Sequence, residues 1–180
     1  MSPQELKSHK EHTKRLASLP VFTPLAKKKN GLPKPLDMLG RRKEVFGSGL
    51  MKVSDTHIAF FLYRDGEILT DRAFYGYLFC ELKNASLYTL YEFHWHPSHK
   101  GIHCKLPCNT DNNYAGRLLV QAPELQIQSS SSLDPANEQD RLELVRMFCE
   151  KCGVSVDFPA ETKATSTDNQ GDLFHEQHHG

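Results

Sequence analysis

Four histidines, His94, His96, His99 and His103, fall within ten residues, and Glu92 and Lys105 flank them. Imidazoles titrate near pH 6.5, so two neighbouring rings can take and give a proton in one reaction cycle. A cation beside them can stabilise developing negative charge. Cleavage of an RNA phosphodiester needs those parts: a base for the 2′-hydroxyl, an acid for the leaving oxygen and a positive charge for the phosphorane. His94, His103, Lys105 and Glu92 are therefore candidate catalytic residues, with Glu92 orienting Lys105 or acting as the base itself. His96 and His99 are candidates for contacting phosphate or positioning substrate. The same rings also read as metal ligands. His94 and His96, two apart on a strand, aim both rings at one ion, and His103 from the next strand completes a three-ligand zinc site with an open position. A solvated sheet face carrying histidines and no chemistry is the plain alternative.

The elements that must position these residues are two strands. In an extended Leu87–His96 segment, Leu87, Thr89, Tyr91, Phe93 and Trp95 point one way, and Tyr88, Leu90, Glu92, His94 and His96 the other. Closing a hairpin over residues 97–100 sets His96 against Gly101, His94 against His103 and Glu92 against Lys105. On the opposite face Trp95 meets Ile102, Phe93 meets Cys104 and Tyr91 meets Leu106. A slip of one residue mixes the apolar and polar faces, so the pattern itself specifies the register.

The rest of the chain supplies the sheet and its cover. Ser2 and Glu5 form a capping box with Pro3 at the first helical position, which predicts a helix of about four turns ending near Leu19. Prolines and glycines then mark an extended connection to Gly49. His57–Tyr63 reads as a buried strand, Arg64-Asp65-Gly66-Glu67 as a hairpin turn with Asp-Gly at positive φ, and Ala73–Leu82 as a second strand. Residues 107–133 are irregular and polar. Asp134 reads as the N-cap of a helix that buries Leu142, Leu144, Val145, Phe148 and Cys149 and stops at Gly153. Val154–Phe158 suits a short last strand. The expected fold is α+β, an antiparallel β-meander of four to five strands packed with one or two helices. Residues 1–49 read as a basic N-terminal helix and Pro/Gly-rich arm, 50–158 as a single α+β domain, and 159–180 as a disordered tail.

Charge is divided along the chain. Residues 1–44 carry eleven Lys and Arg against four acids, a net of +7, and the remainder carries −7, so the formal total is zero. A basic arm on an acidic body fits RNA or another polyanion as a partner, with Lys27, Lys28, Lys29, Arg41, Arg42 and Lys43 as phosphate contacts. No stretch approaches the roughly 18 apolar residues of a membrane helix. The N-terminus lacks an apolar signal region, and the five cysteines are an odd count. These features predict a protein of the reducing cytoplasm that does not engage membrane. Cys104, Cys108, Cys149 and Cys152 form two spaced pairs that suit either a structural zinc site or burial as small hydrophobes, and Cys80 reads as packing.

The Arg64-Asp65-Gly66 turn, the aromatic run Tyr88–His96 ending in histidines, and the further histidines His99 to His103 resemble the TumE-like toxins of bacterial toxin–antitoxin pairs. The likeness covers about a quarter of the chain. It implies a small ribonuclease-like toxin neutralised by a cognate antitoxin protein. The leading expectation is thus a metal-independent RNA-cleaving or RNA-binding protein that needs no cofactor. A zinc-binding interaction module without catalysis and a metal-dependent hydrolase with a three-histidine site are the alternatives.

Overall fold

A computed structural model describes residues 3–25, 45–96, 101–105, 117–119 and 133–157. Its centre is the antiparallel run β5 (His57–Arg64), β6 (Ala73–Glu81), β7 (Leu87–His96) and β8 (Gly101–Lys105). β3 (Val45–Gly47) and then β2 (Thr23–Pro24) extend the sheet on one side, and β9 (Arg117–Leu119) extends it on the other. β4 (Met51–Lys52) pairs with the start of β5. Among the described residues two α-helices accompany the sheet, α1 (Pro3–Glu11) and α2 (Glu138–Lys151). The architecture is α+β with a β-meander at its heart, as the alternation of apolar residues predicts.

One face of the sheet packs on α2. Ala59, Phe61, Tyr63, Phe74, Leu78, Phe93, Trp95 and Cys104 form the main core with Leu144, Val145, Phe148 and Cys149 of the helix. Phe148 is the keystone. Its ring meets Phe61 edge-on at 5.0 Å and Phe93 at 6.4 Å between centroids. Gly76, opposite Phe93 in the register, makes room for it: a Cβ there would lie 2.7 Å from Phe148 Cδ2.

The second face is not simply solvated. Phe60, Leu62, Tyr77, Phe79 and Val45 form a smaller buried cluster there, with Leu25, Tyr75 and Leu87 at its margin. Strict alternation also fails at the start of β7. The register with β6 shifts between Leu78 and Phe79, so Leu78 pairs with Tyr91 and Phe79 with Thr89, leaving Leu90 as the extra residue of a β-bulge. The bulge exchanges the faces before it. Tyr88 and Leu90 join the main core and Leu87 joins the second cluster, opposite to the alternation expected for those positions.

Other local expectations are revised by contacts far away in sequence. α1 ends at Glu11, and the chain goes extended as β1 (Lys14–Leu16). The cause is a parallel partner, β10 (Val154–Val156), which pairs Lys14 with Val154 and Leu16 with Val156. Residues assigned by sequence to the basic arm thus supply β1, β2 and β3 to the fold. Asp65-Gly66 opens an eight-residue loop rather than a two-residue turn, because Arg64 pairs with Ala73. Gly66 is not at positive φ; its requirement is space, since a Cβ would sit 2.6 Å from Asp71 Cβ. The N-cap of α2 is Asn137, whose side chain accepts from the N–H groups of Gln139 and Asp140. Asp134 is engaged elsewhere, in an ion pair with Arg72. Gly153, at φ 65°, follows α2 in the left-handed conformation expected of a helix stop. The 159–180 tail lies outside the described residues.

Candidate active site

The β7–β8 register matches the sequence expectation at every described pair: Glu92 with Lys105, Phe93 with Cys104, His94 with His103, Trp95 with Ile102 and His96 with Gly101. Past the bulge, alternation holds, and Glu92, His94 and His96 project from the face opposite Phe93 and Trp95. Directly opposite strand positions bring Cβ atoms to about 4.5–5.5 Å. The register therefore places Lys105 and His103 beside Glu92 and His94.

His94 is the centre of this arrangement. It is only 8 % exposed, which does not fit the plain alternative of a solvated histidine face at this position. Its Nε2 lies 3.0 Å from Glu92 Oε2, an ion-pair distance when the ring is protonated. The Glu92 carboxylate thus adds a negative charge on the side of the ring that faces it. Glu92 and Lys105 are opposite in the register, as the sequence predicts, and the Glu92 carboxylate meets His94.

β6 adds two side chains that the sequence reading did not include. Tyr75 pairs with His94 and Tyr77 with Glu92 across the sheet. The Tyr75 ring stands edge-on to His94 at 4.9 Å and is tilted against His96 at 6.5 Å. Tyr77 lies 6.0 Å from His94, and its burial and the Glu92 charge both push its phenol pKa up, keeping it a neutral hydroxyl. The signal was present in sequence: Tyr75 and Tyr77 are two apart in a predicted strand, hence on one face. The missing information was which face of β6 adjoins His94.

Several candidates fall elsewhere. His99 and Cys108 lie outside the described residues, as do Lys27, Lys28, Lys29, Arg41, Arg42 and Lys43. Cys104, Cys149 and Cys152 are buried in the main core. Tyr91 donates its hydroxyl to Cys104 Sγ at 2.8 Å, and Cys152 Sγ donates to the Phe148 carbonyl at 3.1 Å. Burial raises the thiol pKa of Cys104 to about 11 and of Cys149 to about 12, the direction expected of thiols packed as small hydrophobes. Cys80 is likewise buried packing. Among the described residues no group of three or more His, Cys, Asp or Glu is arranged to hold a metal ion. No described helix is long and apolar enough to cross a membrane.

Set against known proteins, the chain matches no family model, no curated protein and no solved structure.

Proposed function

We propose that the chain is a metal-independent, toxin-like RNA-cleaving protein whose acid–base site is the Glu92, His94, His103 and Lys105 patch of the β7–β8 hairpin. The observation that carries the reading is the pairing of His94 with His103, next to Glu92 paired with Lys105, with the Glu92 carboxylate on the His94 ring. Such a patch joins two proton carriers, a carboxylate that orients one of them and a cation for the phosphorane. In this reading His94, backed by Glu92, removes the 2′-hydroxyl proton. His103 protonates the leaving 5′-oxygen, and Lys105 stabilises the charge between them. Tyr75, beside both His94 and His96, borders the place where a nucleotide would sit. The reading includes a cytoplasmic setting, in keeping with the four free cysteines among the described residues, and a protein antitoxin as partner.

Purified full-length chain in excess EDTA, offered single-stranded RNA and DNA of the same sequence, tests the reading. RNA cut to 2′,3′-cyclic phosphate and 5′-hydroxyl ends, with the DNA intact, is the expected result. Cleavage of both in EDTA would mean an attack that does not use the 2′-hydroxyl and would overturn the reading, and cleavage abolished by EDTA and restored by zinc would replace it with the metal-dependent hydrolase. No cleavage of either would end it.

The basic arm has its own test. If Lys27–Lys29 and Arg41–Lys43 neutralise six phosphates, log K against log salt has a slope of about −4 to −5. Replacing the six by Gln is expected to flatten that slope, measured by fluorescence anisotropy on labelled RNA. An unchanged slope removes the arm from the nucleic-acid interface.

A further inference from the structure

A second histidine group, unconnected with the hairpin, joins α1 to the sheet. His57, at the start of β5, is 1 % exposed, and the rings of His9 and His12 cover it. His9 Nδ1 lies 3.0 Å from His57 Nε2. The hydrogen-bond roles follow from Ser54. Its Oγ accepts from the backbone N–H groups of Thr56 at 3.3 Å and His57 at 3.1 Å. That leaves the hydroxyl proton for His57 Nδ1 at 2.8 Å. Thr56 Oγ1 lies 3.2 Å from the same Nδ1 and can donate to it as well. With Nδ1 as the acceptor, His57 carries its proton on Nε2 and gives it to an unprotonated His9 Nδ1.

The surroundings are cationic. Lys14, 1 % exposed, donates to the carbonyls of His9 and His12 at 2.7 Å each, tying down the end of α1. From β1 the Lys14 charge faces His57, and so do His9 of α1 and His12 just after it. Glu5 acts on His9 in the opposite sense. The cross-strand partner on β6 is Cys80, a thiol whose pKa burial raises, and Cys152, at the C-cap of α2, acts on Lys14.

We propose that this junction is an acid-released latch: protons taken up by the His9–His57 pair free helix α1 from the sheet while the sheet itself stays folded. A proton on His9 Nδ1 puts two N–H groups face to face, and a proton on His57 adds buried charge beside Lys14.

Burial, followed by Lys14, His9 and His12, lowers the His57 pKa from 6.5 to about 4 when α1 is docked. Released, the ring returns toward its ordinary value. The undocked state therefore binds more protons between the two values, and docking is complete above pH 6.5 and weakens as pH falls toward 4. At pH 5 these two values set an upper limit of about 30-fold on the weakening of docking relative to pH 7.5, because Lys14 stays on β1 beside His57 when α1 leaves.

Amide hydrogen exchange of the full-length chain by NMR, corrected for intrinsic rates, reads this directly. Between pH 7.5 and 5, protection over residues 7–12 is expected to fall severalfold and by no more than about 30-fold, while Phe61, Phe74 and Phe93 keep theirs. His57→Gln, which cannot charge, is expected to abolish the difference. Equal protection of α1 at both pH values, loss that spreads equally to the sheet, or the same loss in His57→Gln would each overturn the latch. Should His57→Gln fail to dock α1 at pH 7.5, the ring titration of His57 in the unmodified chain decides. A midpoint well below 6.5 supports the latch, and one at about 6.5 with α1 still docked overturns it.

Discussion

Replacing His94 with glutamine is expected to lower the rate of RNA cleavage by about 10²–10⁴, the usual share of a positioned acid or base. The choice of substitution follows from its burial. His94 is 8 % exposed and touches Tyr75 and Tyr77, so truncation to alanine would open a cavity and confuse loss of chemistry with loss of structure. Glutamine fills nearly the same space and keeps a polar group beside Glu92, but it cannot exchange a proton. Single-turnover cleavage checks the rate, and thermal unfolding checks that the sheet survives. His103→Gln is expected to cost a similar factor, and the double variant little more than either single one, because an acid and a base serving one step act as a unit. A rate within about two-fold of the parent in folded His94→Gln would remove His94 from the chemistry.

Phe148→Ala is the largest expected effect on stability, a loss of about 3–5 kcal/mol. The ring is fully buried and meets Phe61 on β5 and Tyr91 and Phe93 on β7. It also fills the space that Gly76 leaves on β6, so its loss opens a cavity between α2 and three strands. A domain of this size has roughly 5–15 kcal/mol in total, so the variant should be near the edge of folding at 37 °C. Urea unfolding measures the loss. A change below about 1 kcal/mol would mean that α2 is not held to the sheet through this ring.

What was legible in the sequence was the part set by short-range periodicity. The hairpin register could be derived because Phe93 and Trp95 demand one face and the polar residues the other, and only one closure over residues 97–100 keeps them apart. The buried side of α2 was readable for the same reason at helical spacing. Features set by distant partners were not. The bulge at Leu90 leaves no mark in composition, since Leu90 is apolar on either face. β1 interrupts the expected N-terminal helix because β10, more than a hundred residues later, offers it hydrogen bonds. Asp134 and Asn137 are equally good N-caps locally, and the Arg72 ion pair draws Asp134 away. The burial of His94 and the Glu92 contact depend on β6 and the second cluster, which alternation in β7 alone does not reveal. His57 and its cover of His9 and His12 likewise lie far apart in sequence.

The pH dependence of RNA cleavage in EDTA tests the central claim most directly. With one imidazole taking a proton and its neighbour giving one, kcat/KM is expected to trace a bell, falling on both sides of an optimum. His94→Gln and His103→Gln should each erase one limb, the acid limb for the base and the alkaline limb for the acid. A rate that climbs steadily with hydroxide, or a bell that both variants retain unchanged, would contradict acid–base chemistry at this hairpin.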